Sequence, residues 1–150
     1  MKFNSMNEAL DFAIQEEQKA TDFYNDLAEK VSHQHIKDVF LEFAKEEQGH
    51  KAKLQRVKSG KYVMPSNSKV QDMKIGDSLV EINLSAEIDY QDALIIAMKS
   101  EKNSYRLYTQ IAEAIDDSDL KKLFLDLAQE EAKHKLRFET EYDDNFLKEN

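Results

Sequence analysis

The sequence predicts an all-α protein: a four-helix bundle made of two repeated helical hairpins joined by a long crossover linker. Three observations predict it. Apolar residues recur with a 3.6-residue period over four long stretches. Two of the three glycines, and the only proline, fall in one central segment between Ser59 and Gly76. Residues of the first half also recur 84 positions later in the second.

The first helix is predicted over about residues 7–30. Ser5-Met6-Asn7-Glu8 reads as a capping box at its start. Leu10, Ala13, Ile14, Ala20, Tyr24, Leu27 and Val31 form its apolar seam; Glu17 falls on that seam and Glu16 does not. The second helix is predicted over about 33–58, with Ile36, Val39, Phe40, Phe43, Leu54 and Val57 inward. Glu47 and His50 join that face, while Glu46 is expected to point away. The third helix is predicted over about 86–115, with Tyr90, Ala93, Leu94, Ala97, Met98, Tyr105, Tyr108, Ile111 and Ile115 on its seam and Glu101 interrupting it. The fourth is predicted over about 118–146, with Leu120, Leu123, Phe124, Leu127 and Phe138 inward beside Glu131 and His134.

The whole chain, 1–150, reads as one domain: hairpin 1 over about 5–58, a linker over about 59–85 and hairpin 2 over about 86–146. Fully extended, that linker spans on the order of 80 Å, enough for a crossover along the bundle or for an exchange of hairpins between two chains. A homodimer, with such a domain swap permitted, is the expected assembly.

Composition narrows the function. The 150 residues suffice for one domain with a real core. Hydrophobic residues make up 41% and charged residues 34%, a mix suited to long helices with a solvated face. A formal charge of −9 argues against nucleic acid, which needs a basic footprint. The chain has no cysteine, which excludes disulfides, iron–sulfur clusters, thiolate zinc sites and a rubredoxin-type iron centre. Residues 1–7 carry no basic-then-apolar signal pattern. No apolar run approaches ~18 residues, so no membrane span is expected, and a cytoplasmic location is the default.

The repeat carries the chemistry. Glu17, Glu47 and His50 recur as Glu101, Glu131 and His134, and each histidine stands three residues after a glutamate. Four carboxylates and two imidazoles are the ligand set of a di-iron or di-manganese site inside a four-helix bundle. All four glutamates lie fifteen positions from a turn, near Ser32 or Asp116, hence at one level, roughly 22 Å along each helix. Burying one unpaired carboxylate costs several kcal/mol, so four on one inner layer call for cations. Two divalent ions would neutralise them, and oxygen–nitrogen ligation suits iron or manganese. The repeat also pairs Tyr24 with Tyr108, Phe40 with Phe124, Leu41 with Leu125, Ala44 with Ala128 and Lys51 with Lys135, as expected for a duplicated hairpin with a pseudo-twofold axis.

These stretches resemble the rubrerythrin-like branch of the ferritin-like superfamily over nearly the whole chain. The resemblance rests on the runs Ala13 to Tyr24, Phe40 to His50 and Leu123 to His134. It implies Glu17 and Glu101 as terminal ligands, Glu47 and Glu131 as bridging ligands, and one nitrogen each from His50 and His134 for two iron ions. It also implies reduction of hydrogen peroxide to water by a diferrous site, which a reductant then resets. Without cysteine the electrons are expected from an external donor such as a rubredoxin-like protein. Members of that branch tend to carry a seventh ligand, a fifth glutamate, one turn after the third-helix ligand. Here that position is Ser104, with Ala20 as its repeat mate, a departure that counts against efficient peroxidase turnover. The alternatives to peroxide reduction are reaction with dioxygen, ferroxidase or iron-handling chemistry, and a manganese catalase-like site.

Tyr24 and Tyr108 stand seven residues after Glu17 and Glu101, on the same helix faces. An inward tyrosine with a satisfied hydroxyl is the commoner role; a hydrogen bond to a ligand or an electron relay is the sharper one. Tyr105 is expected in the core. His33 and His35, with no histidine counterparts, are expected at the surface. Gly49 costs ~1 kcal/mol inside a helix, and close packing against a neighbour, or room for an oxidant, would explain it.

Overall fold

A computed structural model describes residues 5–60 and 89–144 of the chain. They form four helices of nearly equal length: α1 (Met6–Lys30), α2 (Gln34–Lys58), α3 (Tyr90–Glu113) and α4 (Ser118–Tyr142). Each begins on a side chain that caps it. Ser5 accepts the Glu8 N–H at 3.2 Å, Asp89 accepts that of Asp92 at 2.8 Å, and Asp117 accepts that of Leu120 at 2.9 Å. The cap of α2 is His33, whose Nδ1 accepts the Ile36 N–H at 3.5 Å. A capped start is worth about 1 kcal/mol.

The helix boundaries therefore shift slightly from those expected. The first helix starts at Met6, and His33 is the cap of α2 rather than its first residue. The third runs from Tyr90 to Glu113, later and shorter than 86–115, because Asp89 caps it and Ala114 closes it. Residues 61–88, with the crossover and the expected start of the third helix, and 145–146, where the fourth helix was expected to end, lie outside the described residues.

The helices pack as two hairpins, α1 along α2 and α3 along α4, with α1 also meeting α3. Two apolar clusters fill the interior. One joins Leu10 and Ala13 to Leu54 and Val57, Leu107 and Ile111, and Leu123, Phe124 and Leu127. The other joins Tyr24 and Leu27 to Ile36, Phe40 and Phe43, Leu94 and Ala97, and Phe138. The first is mainly aliphatic. The second is aromatic, with Phe43 edge-on to Tyr24 and Phe138. At roughly 25 cal/mol per Å² of buried apolar surface, these two clusters are the main source of cohesion. Between them lies the layer holding the glutamates.

Two expectations are corrected. Tyr105 is not in the core but 37% exposed, whereas its repeat mate Thr21 is buried. The buried stripe of α3 runs through Leu107 and Ala112 instead, leaving Tyr105 at its edge. Gly49 is not packed against a neighbouring helix, since a Cβ placed there would meet nothing within 4 Å among the described residues. His33 and His35 are exposed, as expected. The His33 ring stacks on Tyr90, and His35 Nε2 lies 3.0 Å from Glu141, which ties the start of α2 to the end of α4. Such exposed pairs add little stability. Among the described residues no helix is long and apolar enough to cross a membrane.

Candidate metal centre

The six repeated residues meet in one buried layer. Glu17 comes from α1, Glu47 and His50 from α2, Glu101 from α3, and Glu131 and His134 from α4. The 3.6-residue period places each glutamate on the apolar face of its helix, so packing that face takes the carboxylate inside. All four glutamates and His134 are at most 4% exposed, and the His50 side chain is 13% exposed, the most open of the six.

The ligand atoms converge in two overlapping groups. Glu17, Glu47, His50 and Glu131 form one; Glu47, Glu101, Glu131 and His134 form the other. Within each, one atom per residue lies within 4.8 Å of all the others. Glu47 and Glu131 belong to both, so these two carboxylates stand between the two positions. Both imidazoles turn Nδ1 toward the centre. His50 Nδ1 is 3.0 Å from Glu131 and 3.3 Å from Glu17, and His134 Nδ1 is 3.1 Å from Glu47 and 3.4 Å from Glu101. The two arrangements are related by the sequence repeat.

Tyr24 and Tyr108 cross between the hairpins. The Tyr24 hydroxyl donates to Glu101, and the Tyr108 hydroxyl donates to Glu17. Each tyrosine thus serves the glutamate of the opposite hairpin, not the one on its own helix. The hydroxyl is satisfied, and the group that satisfies it is a carboxylate of the cluster. Thr21 is also buried and donates to the Glu17 carbonyl at 2.9 Å. Glu16 pairs with Lys19, away from the cluster. Glu46, expected to point away, does not stay clear of it: although half exposed, its Oε2 lies 2.9 Å from His134 Nε2. A long side chain at the border of the buried stripe can reach back over it, a reach that helical spacing does not reveal.

Electrostatics mark the layer as frustrated when only protons balance it. Burial, then repulsion from Glu131, raises the Glu17 pKa. Burial and the charges of Glu131, Glu17 and Glu101 push Glu47 well up. Glu101 is raised to about 7, chiefly by burial. Glu131 is raised to about 8 by burial and by Glu101. Burial alone would lower His50, but its contacts with Glu131 and Glu17 outweigh that and push it up to about 10. Burial and nearby carboxylates hold Tyr24 and Tyr108 well above the usual phenol range, so both stay protonated donors.

Both oxygens of Glu47 and of Glu131, Oε2 of Glu17 and of Glu101, and Nδ1 of His50 are buried without a directed hydrogen bond. Buried polar atoms rarely remain so. These seven atoms converge on the two ligand groups and fit cations, while an eighth, His134 Nε2, faces outward; the hard oxygen and imidazole donors fit iron or manganese.

The comparisons with known proteins agree with this geometry. The family model described as Rubrerythrin matches residues 8–142. A solved structure of a hypothetical protein from Pyrococcus furiosus is similar at 26% identity with a TM-score of 0.67, over 93% of this chain and 89% of that one. No curated protein matches the sequence. With its four-helix bundle and its match along residues 8–142, the chain belongs to the rubrerythrin family, the ferritin-like, iron-binding di-iron carboxylate proteins.

Proposed function

We propose that the chain is a di-iron oxidoreductase that reduces hydrogen peroxide to water with electrons from an external donor. The observation that carries this reading is the layer of four buried carboxylates and two imidazoles, arranged as two ligand groups sharing Glu47 and Glu131. Those two would bridge, Glu17 and Glu101 would be terminal ligands, and His50 and His134 would give one Nδ1 to each iron. When bound, the iron pair supplies the two electrons that, with two protons, convert hydrogen peroxide into two waters.

The protein's own part is to place and insulate. Apolar clusters lie on either side of the layer, which keeps water out and strengthens each charge interaction inside. The tyrosine hydroxyls hold Glu101 and Glu17 by charge-assisted hydrogen bonds. The partly open side is at His50, next to Gly49 and its empty flank, and this is the proposed approach for a small oxidant. The donor is placed outside the chain because the chain has no cysteine to hold a thiolate-bound iron centre. A rubredoxin-like protein has the required chemistry. A cytoplasmic homodimer, with hairpins exchanged through the long linker, is the proposed setting.

A second reading, iron handling by ferroxidase chemistry, is favoured by one observation: the position of the usual seventh ligand, a fifth glutamate, holds Ser104. A manganese catalase-like centre shares the ligand set and would be revealed by dioxygen release on adding peroxide. Stopped-flow oxidation of the anaerobic Fe(II)-loaded protein separates the first two. Much faster reaction with hydrogen peroxide than with dioxygen is expected. Equal rates, or faster reaction with dioxygen, would transfer the assignment to ferroxidase or oxidase chemistry.

A further inference from the structure

The sequence repeat makes the two halves of the centre look interchangeable, but the surroundings of the two histidines differ. His134 Nε2, the nitrogen facing away from the cluster, lies 2.9 Å from Glu46 Oε2, an ion-pair contact that makes no directed hydrogen bond. The repeat mate of Glu46 is Glu130, which pairs instead with Lys133 on its own helix at 3.3 Å. Among the described residues, no carboxylate other than Glu17, Glu47 and Glu131 pairs with His50, and all three meet its Nδ1.

A second difference is independent of the first. The His134 ring lies nearly parallel to Phe43, centroids 4.2 Å apart and planes 19° apart. The repeat mate of Phe43 is Leu127, which offers no ring to stack. His134 is also the more enclosed imidazole, its side chain 5% exposed against 13% for His50. The His134 ring therefore lies against Phe43 and has a carboxylate beside its outer nitrogen, whereas among the described residues the His50 ring stacks only on the His134 ring, at 6.1 Å, and has no carboxylate at its outer nitrogen.

This matters for the chemistry of ligation. An imidazole that binds a cation through Nδ1 must carry its proton on Nε2. A carboxylate at Nε2 selects that tautomer, fixes the ring and makes Nδ1 a stronger donor. We propose that Glu46 is a positioning residue for His134 and that it makes the two metal positions unequal, so that the position served by His134 and Glu101 takes up the first divalent cation. The inference rests on the metal centre proposed above. It implies stepwise loading, with the His50 position filled second and emptied first.

The test is titration of the metal-free full chain with Co(II), followed by calorimetry and by the visible absorption of bound Co(II). The native chain is expected to bind two ions in two resolved steps. Glu46→Ala should weaken the tight step by about 10- to 100-fold, the loss usual for such an outer partner, and bring the two steps together. Glu46→Gln, which keeps a neutral acceptor, should lose less. Glu130→Ala should leave both steps unchanged. Since Glu46 is about half exposed, Glu46→Ala should melt with the native chain when metal-free, which separates positioning from folding. Two equal steps in the native chain would overturn this inference and leave the centre standing, as would an equal loss in Glu130→Ala. Failure of the native chain to bind Co(II) at all would overturn the centre and this inference with it.

Discussion

The metal-free protein should become less stable as the pH rises from about 5 to about 9, and metal should reverse the trend. In the folded chain the buried carboxyls hold their protons more tightly than in the unfolded chain. The stability they permit is present in full below pH 4.5 and drains away as the pH climbs through about 7 for Glu101 and about 8 for Glu131. His50 acts in the same direction: its contribution is complete below 6.5 and lost as the pH rises through about 10. For Glu131 alone, at ~1.4 kcal/mol per pKa unit, the loss is on the order of 5 kcal/mol. A domain typically has about 5–15 kcal/mol in hand, and for one of this size that loss is roughly 10–20 °C in melting temperature. The assay is thermal melting in a chelator, followed by circular dichroism across the pH range. Glu131→Gln, which has no charge to bury, should flatten much of the slope. With two divalent ions bound, stability should instead fall on acidification, as protons displace the metal. A metal-free melting temperature that is flat or rises toward pH 9, or an unchanged slope in Glu131→Gln, would refute the reasoning.

Three further outcomes are expected. Glu47→Ala or Glu131→Ala should each abolish binding of two metals per chain, read by elemental analysis after anaerobic loading, because each carboxylate stands between both positions. Tyr108→Phe should weaken metal binding while Tyr105→Phe, on the exposed side of α3, should not; losing a donor to a buried charged group is worth about 1–3 kcal/mol, which calorimetry would resolve. Gly49→Ala should raise the melting temperature, by about 1 kcal/mol of added helix stability, since the new Cβ meets nothing. A fall would mean that a second chain or another part of this one covers that side.

Much of the candidate site was legible in the residues because two periods coincide there. The 84-residue repeat identifies the six residues, and the 3.6-residue period places them inward; their burial in one layer follows from both. What escaped depends on neighbours that helical spacing does not specify. Tyr24 and Tyr108 were recognisable as inward, but which glutamate each reaches is set by the antiparallel packing of α1 against α3. The Glu46 contact depends on a flexible side chain at the rim. Tyr105 sits at the border of its stripe, where a small rotation of the helix decides between core and solvent. The short α2 cap, His33, was hidden because histidine seldom fills that role.

The central claim is a pair of iron ions sharing Glu47 and Glu131. Anomalous diffraction at the iron edge, from crystals of the anaerobically Fe(II)-loaded protein, tests it most directly. Two peaks per chain are expected, both beside Glu47 and Glu131, one near His50 and one near His134. A single peak, no peak, or peaks elsewhere on the acidic surface would contradict it.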